Sequence, residues 1–172
     1  DVYVDRTAAA VAEGVFYNAG QSCCAIERLY VHEAVHDAFV VALASIAEAY
    51  VIGDPLDPAT DLGPLARPEQ VDLLEAQVAD AVARGGTVLV GGARHERGDA
   101  WFPPTVIVDA TASMRVMREE SFGPIVGVAA ALTPSVAILP LSTWNFQVWY
   151  RDPLAGGATS NTSTALQVNF CP

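Results

Sequence analysis

Apolar residues recur at helical spacing in three parts of the chain, and each part is expected to form a helix. The first helix should run from Asp5, which can cap it, to about Phe16, and Asn18-Ala19-Gly20 should end it in residues that tolerate positive φ angles. The second should begin near Ala34 and the third near Pro68, because proline is favoured in a first helical turn. The residues expected to face inward are Ala8, Val11 and Val15, then Val35, Phe39, Leu43, Ile46 and Tyr50, and finally Val71, Leu74, Val78 and Val82.

Shorter apolar segments lie between and after these helices, and they predict strands. They are LYV at 29–31, TVLVGG at 87–92, PTVIVDA at 104–110 and PIVGVAAAL at 124–132. The last two contain almost no polar residues, so we expect them to be buried. Helices that alternate with buried strands favour an α/β fold with a largely parallel sheet flanked by helices.

The pattern changes after about Leu132. Residues 121–172 contain only Arg151 and Asp152 as charged groups, and the helical spacing of apolar residues ends. Two explanations stay open: an irregular, divergent extension, or a segment whose reading frame is shifted. We therefore predict one domain at residues 1–132 and a divergent or frameshifted tail at residues 133–172.

Composition and charge exclude several classes of protein. The chain has 172 residues and a formal net charge of −11, which argues against binding to nucleic acids or to anionic membranes. All nine basic residues are arginines, so there is no lysine for a Schiff base or a phosphate-binding loop. No apolar run reaches the ~20 residues of a membrane helix. Three cysteines, two of them adjacent, without a secretory signal predict a reducing, cytoplasmic setting.

The stretch from Phe16 to Arg28, FYNAGQSCCAIER, places two adjacent cysteines after Gly-Gln-Ser. A cysteine becomes a nucleophile when backbone N–H groups, a helix N-terminus or a positive charge favours its thiolate. A turn between a helix end and a strand can present Cys23 or Cys24 in this way. Adjacent cysteines can also be small apolar residues that fill a core. The residues alone leave both interpretations open.

This stretch resembles the active-site segment of the aldehyde dehydrogenase superfamily, in which Gly-Gln-x-Cys follows an aromatic residue. Other segments resemble the family in the same order, over residues 1 to about 128. They are GDPLDPATDLGPLA, ARGGTVLVGG followed by WFPPTVIVD, and REESFGPIVGV. Further along, Val148 to Asp152 is similar to a Val-aromatic-x-Arg-Asp strand of the family. The resemblance implies the catalytic domain of the aldehyde dehydrogenase fold at residues 1–132, with most of the cofactor domain missing.

The resemblance also implies roles for individual residues. Cys23 would be the nucleophile, Glu120 would hydrogen-bond the ribose beside the nicotinamide, and Phe122 would pack near the nicotinamide ring. The cofactor would be NAD or NADP. Without the resemblance, Glu120 would be a solvated carboxylate and Phe122 a core aromatic.

The implied activity is the NAD(P)-dependent oxidation of an aldehyde to a carboxylic acid through a thiohemiacetal and a thioester on the cysteine. The family's general base and its second oxyanion donor would lie upstream of Asp1, and neither Glu13 nor Glu27 stands at the position of the base. We therefore expect a fragment of a longer, homo-oligomeric enzyme that is inactive by itself. Two alternatives are a relative that transfers the acyl group to coenzyme A and a non-catalytic protein that keeps the fold for oligomer contacts.

The histidines do not predict a metal site. His32 and His36 are four residues apart, but they lie on either side of an expected boundary between a strand and a helix. We expect both at the solvated surface, and no metal ligand in the chain.

Overall fold

The computed structural model describes residues 4–130 and, further along the chain, four strands between residues 143 and 169. Backbone contacts divide the chain into two units, Asp1–Leu132 and Thr133–Pro172, and each unit is described by itself. Within the described residues, no helix has both the length and the apolar character needed to cross a membrane.

All three expected helices are present. They are α1 (Val4–Phe16), α2 (Glu33–Glu48) and α3 (Pro68–Ala83). Asp5 lies in the first turn of α1 and not before it, where its charge still stabilises the N-terminal end of the helix dipole. Pro68 occupies the start of α3, as expected. Most of the apolar stripes face inward, including Phe39 and Leu43 of α2.

The inward face of α3 differs from the expectation at one position. Val82 was expected to face the core but is 53% exposed. The buried residues of this helix include Val78 and Ala81, together with the polar Gln77. In a helix each residue turns by about 100°, so Val82 lies about 70° to one side of a stripe centred between Val78 and Ala81, at the edge of that stripe. The prediction for Val82 was wrong because apolarity alone did not fix the phase of the stripe.

The first unit contains one four-stranded sheet. Its strands are β1 (Arg28–Val31), β2 (Thr87–Val90), β3 (Thr105–Val108) and β4 (Ile125–Ala130). Their order in the sheet is β1-β4-β3-β2, in which β4 is parallel to both β1 and β3, and β2 is antiparallel to β3. The expected α/β class with a largely parallel sheet is confirmed. The antiparallel strand β2 is at an edge, where Leu89 is 41% exposed.

Each face of this sheet carries its own apolar core. On one face, Ile107 and Ile125 pack with residues of α3 such as Leu74. On the opposite face, Val106 and Val126 pack with the apolar sides of α1 and α2. Side chains alternate between the faces of a strand, so the continuous apolar segments β3 and β4 serve both cores. Each fully buried side chain of this size stabilises the fold by roughly 1.5–3 kcal/mol.

The pairing of β1 with β4 places two loops side by side. Arg28 is opposite Gly127, and the strands are parallel, so both begin at the same edge of the sheet. Residues 22–25, called here the cysteine turn, precede β1. Residues 119–123, called here the Glu120 segment, precede β4. The sheet therefore brings together two segments that are far apart in the sequence.

The second unit is described only through its strands. Strand β5 (Thr143–Phe146) pairs antiparallel with β8 (Leu166–Asn169), and β6 (Trp149–Arg151) pairs antiparallel with β7 (Ser160–Thr162). Val148 and Asp152, which flank β6 in the segment that resembles the family, lie outside the described residues. The interpretation of this region as a divergent or frameshifted tail stays a prediction.

Candidate active site

Directly after α1 the backbone adopts a left-handed conformation. Asn18, Ala19 and Gly20 have φ angles of 51°, 54° and 68°, as the sequence predicted. A left-handed conformation costs a non-glycine residue roughly 1–2 kcal/mol, so local contacts must hold it. The Asn18 carbonyl accepts a hydrogen bond from the Gln21 backbone N–H at 3.1 Å, and the Asn18 side chain donates to the Gln21 carbonyl at 3.1 Å. These bonds direct the chain into the cysteine turn.

The cysteine turn presents both thiols to solvent. The Ala25 N–H donates to the Ser22 carbonyl at 3.0 Å, which closes a turn with Cys23 and Cys24 at its two central positions. Both cysteines are free and exposed. The Ile26 N–H donates to the Gly14 carbonyl of α1 at 3.0 Å and anchors the end of the turn. The interpretation of the cysteines as core-filling residues is therefore wrong.

The two neighbouring cysteines differ in their surroundings. The Cys24 N–H donates to the Ser22 hydroxyl at 3.2 Å, whereas the Cys23 N–H makes no hydrogen bond to any residue in the described part of the chain. The Cys23 N–H is thus available to an oxyanion that forms beside the turn. The sulfur atoms lie 3.9 Å apart, and the hydrogen bond to Cys23 raises the pKa of the Cys24 thiol above its usual value. Cys24 therefore keeps its proton to higher pH than an ordinary exposed cysteine.

Gln21 connects the cysteine turn to the proline-rich loop that follows α2. Its side-chain oxygen accepts a hydrogen bond from the Ala66 backbone N–H at 2.8 Å. Its side-chain nitrogen donates to the Asn18 carbonyl at 3.3 Å. The glutamine of the Gly-Gln-x-Cys pattern therefore connects the start of the turn to a loop that is far away in the sequence.

Gly20 lies directly against the Glu120 segment. A Cβ atom at Gly20 would collide with the carbonyl group of Gly123 and with the nitrogen of Pro124. Only glycine allows two stretches of backbone to come this close, and Gly20 also has a positive φ angle. This contact sets the spacing between the cysteine turn and the Glu120 segment.

Cys23 and Glu120 line one cavity of about 430 Å³. Its other lining residues are Ser22, Ala25, Ile26, Glu27 and Arg28. Glu120 is exposed, and the side chain of its neighbour Glu119 instead pairs with Arg115 at 2.9 Å. The structure thus places the expected nucleophile and the residue that was expected to bind the ribose in the lining of one cavity.

Phe122 lies outside the lining of this cavity, two residues beyond Glu120. It is 38% exposed and has a φ angle of 46°, which is unusual for a bulky residue. The alternative of a core aromatic is therefore wrong. Its role near a nicotinamide stays a prediction.

Sequence reasoning did not find the polar side chains that hold the Glu120 segment. They are Glu27, Gln70 and Gln77, whose contacts with residues 120–122 are described below. All three act on backbone atoms far away in the sequence, and no local pattern marks such contacts. The one signal was a glutamine at an inward position of α3, because a buried amide needs a partner.

The histidines serve local structure. His32 caps α2 by accepting a hydrogen bond from the Ala34 N–H at 3.2 Å, and His36 lies 3.0 Å from the Asp37 carboxylate. Among the residues that the structure describes, no group of three or more His, Cys, Asp or Glu side chains could hold a metal ion.

Comparison with known proteins finds aldehyde dehydrogenases among the relatives of this chain. The model of the aldehyde dehydrogenase family matches residues 1–139. A protein named succinate-semialdehyde dehydrogenase (NADP+) from Deinococcus radiodurans is 45% identical over 122 residues, which are 71% of this chain and 26% of that protein. One of the same name from Escherichia coli is 39% identical over 73% of this chain and 26% of that protein. The chain thus spans about a quarter of the length of these relatives.

Solved structures agree in fold. A 3,6-anhydro-L-galactose dehydrogenase is 41% identical with a TM-score of 0.73, over 77% of this chain and 29% of that one. A betaine aldehyde dehydrogenase from Staphylococcus aureus, solved in complex with NAD+, is 33% identical with a TM-score of 0.73, over 78% and 28%. The family match covers the helices, the sheet, the cysteine turn and the Glu120 segment, and we conclude that this chain belongs to the aldehyde dehydrogenase family.

Proposed function

We propose that these residues supply the nucleophile and part of the nicotinamide site of an NAD(P)-dependent aldehyde dehydrogenase. The observation that carries this proposal is the shared cavity, which both Cys23 and Glu120 line. The two groups come from separate loops that enter neighbouring parallel strands. Such an arrangement would let Cys23 attack a substrate in the cavity while Glu120 binds part of a cofactor there.

Cys23 carries the covalent chemistry in this proposal. Its thiolate adds to the aldehyde carbon and forms a thiohemiacetal, and the negative charge moves to the carbonyl oxygen. The free N–H of Cys23 can donate to that oxygen, whereas the N–H of Cys24 is already bonded to Ser22. Transfer of a hydride from this adduct to bound NAD(P)+ would leave a thioester on Cys23, and its hydrolysis by water would give the carboxylic acid and free the Cys23 thiol.

The described residues fit a nicotinamide nucleotide. An exposed carboxylate, that of Glu120, can accept hydrogen bonds from two ribose hydroxyls. The exposed ring of Phe122 offers an apolar surface for a planar heterocycle. When bound, NAD(P)+ would supply the hydride acceptor. Glu120 and Phe122 would hold and orient it.

The base that activates the hydrolytic water is not assigned to a residue of this chain. Glu27 already accepts two backbone hydrogen bonds, and Glu13 lines a separate pocket with Tyr17 and Cys24. Together with the sequence resemblance, this supports a general base and a second oxyanion donor outside residues 1–172.

The relatives suggest which substrate and which acceptor to test first. The two bacterial relatives are named for succinate semialdehyde and NADP+, and the Staphylococcus aureus enzyme for betaine aldehyde. We propose a small aldehyde as substrate, homo-oligomeric assembly as the resemblance implies, and a cytoplasmic setting in which the exposed thiols stay reduced.

Glu120→Gln tests this proposal in the active enzyme that contains these residues. A neutral amide accepts ribose hydroxyls less strongly, so we expect single-turnover NAD(P)H formation to slow by about tenfold or more without loss of folding. Glu119→Gln is the matched control, because that carboxylate pairs with Arg115 instead of facing the cavity. NAD(P)H is followed by its absorbance with succinate semialdehyde and betaine aldehyde.

Two results would count against this account. An enzyme that reduces neither NAD+ nor NADP+ with any aldehyde would refute the proposed function. An unchanged single-turnover rate in Glu120→Gln would remove Glu120 from the cofactor site.

A further inference from the structure

Glu27 binds the backbone of the Glu120 segment. One oxygen of its carboxylate accepts hydrogen bonds from the N–H groups of Ser121 at 2.8 Å and Phe122 at 2.9 Å. The Glu27 side chain is only 13% exposed, so water competes weakly for these bonds. Hydrogen bonds to an ionised acceptor are also stronger than neutral ones.

Other side chains hold the carbonyl groups of the same segment. Gln70 of α3 donates to the Ser121 carbonyl at 2.5 Å, and the fully buried Gln77 donates to the Glu120 carbonyl at 3.4 Å. Arg28 donates to the Glu119 carbonyl at 2.8 Å. The N–H groups of the segment are therefore bonded by Glu27, which directly precedes β1. Its carbonyl groups are bonded by Arg28 of β1 and by two glutamines of α3.

These hydrogen bonds explain how a strained backbone conformation persists in the Glu120 segment. Phe122 has a φ angle of 46°, a left-handed conformation that is unfavourable for a bulky non-glycine residue. Such a conformation persists only where surrounding contacts fix it. The Glu27 carboxylate bonds the N–H of the strained residue itself, so it is the most direct of these contacts.

We propose that Glu27 is a positioning residue that locks the Glu120 segment against the cysteine turn. Glu27 follows the anchored end of the cysteine turn by two residues, so its carboxylate connects the nucleophile and the cofactor carboxylate through one short, rigid stretch. It fixes where Glu120 stands relative to Cys23 through its hydrogen bonds to the backbone of Ser121 and Phe122. The expected change in the KM for NAD(P)+ rests on the proposed function, whereas the expected change in amide protection does not.

The structural test is amide hydrogen exchange in the active enzyme that contains these residues. In Glu27→Ala, protection of the Ser121 and Phe122 amides should fall by about tenfold or more, because both lose their acceptor. In Glu27→Gln, the amide oxygen can still accept both bonds, so protection should stay within about threefold of the original. Glu96→Ala removes an exposed carboxylate elsewhere and should leave both amides unchanged.

The kinetic test separates positioning from a general loss of stability. In Glu27→Ala, the KM for NAD(P)+ should rise by about tenfold while the KM for the aldehyde changes by less than about twofold. Glu27→Gln should restore the KM for NAD(P)+. Thermal unfolding identifies any variant that fails to fold. If Glu27→Ala fails to fold, Glu27→Gln together with amide exchange decides whether Glu27 positions the Glu120 segment.

The outcomes distinguish this inference from the proposed function. Unchanged amide protection in a folded Glu27→Ala, or equal loss of protection in Glu27→Gln and Glu27→Ala, overturns the inference. Equal rises in both KM values overturn the positioning role as well. Absence of NAD(P)-linked oxidation in the original enzyme would refute the proposed function. Amide exchange would still test whether Glu27 holds the Glu120 segment.

Discussion

Cys23→Ser should abolish aldehyde oxidation in the active enzyme that contains these residues. A serine hydroxyl ionises far less readily than a thiol, so serine at position 23 is a much weaker nucleophile. We expect kcat/KM to fall by more than about a thousandfold, the scale typical of losing a nucleophile. The substitution is nearly isosteric at an exposed site, so folding should be preserved. Steady-state formation of NAD(P)H, with circular dichroism to check the fold, measures both effects.

Cys24→Ser is the matched control. It makes the same change one residue further along, at a thiol whose pKa is raised and whose N–H is bonded to Ser22. We expect this variant to keep activity within about tenfold of the original, because only a neighbour of the nucleophile is altered. An inactive Cys24→Ser beside an active Cys23→Ser would show that the nucleophile had been assigned to the wrong cysteine.

Gly20→Ala should cause a large loss of stability. The added Cβ atom would collide with the backbone of Gly123 and Pro124, neither of which can move like a flexible side chain. The positive φ angle of 68° adds strain for any other residue. Strain and overpacking together should lower the free energy of unfolding by roughly 2–5 kcal/mol, which is measured by urea denaturation.

Gly85→Ala separates the two contributions. Gly85 has a φ angle of 93°, but a Cβ atom there meets nothing within 4 Å. It should therefore show the backbone strain alone, about 1–2 kcal/mol. If Gly20→Ala were no more destabilising than Gly85→Ala, the close approach of Gly20 to the backbone of Gly123 would carry no energetic weight.

The periodicity of apolar residues was sufficient to predict the helices and buried strands. The stripes of α1 and α2 and the continuous apolar segments β3 and β4 come from local patterns that packing reinforces. The phase of α3 was wrong at Val82, because an apolar residue at the edge of a stripe can face either way. The order of the strands could not be predicted, because β4 lies between β1 and β3 through contacts between residues that are far apart in the sequence.

The features of the candidate site were also predictable only in part. The resemblance picked out Cys23, Glu120 and Phe122, and the structure places the first two in one cavity. Residue patterns did not reveal Glu27 or Gln70, because each bonds backbone atoms 94 or 51 positions away. The close contact of Gly20 with Gly123 was equally hidden, although the positive φ angle of Gly20 was expected. Contacts made between backbone and distant side chains leave little local trace in a sequence.

Mass spectrometry of the covalent intermediate tests the central claim most directly. The active enzyme carrying Cys24→Ser is mixed with NAD(P)+ and a saturating aldehyde, quenched in acid and digested, and the peptide containing residue 23 is sequenced. The serine at position 24 prevents exchange of the acyl group between adjacent thiols. The account predicts an acyl thioester on Cys23 that appears with the first NAD(P)H and is absent from Cys23→Ser. NAD(P)H formation at an undiminished rate in Cys23→Ser, or an acyl group carried by a different residue, would contradict it.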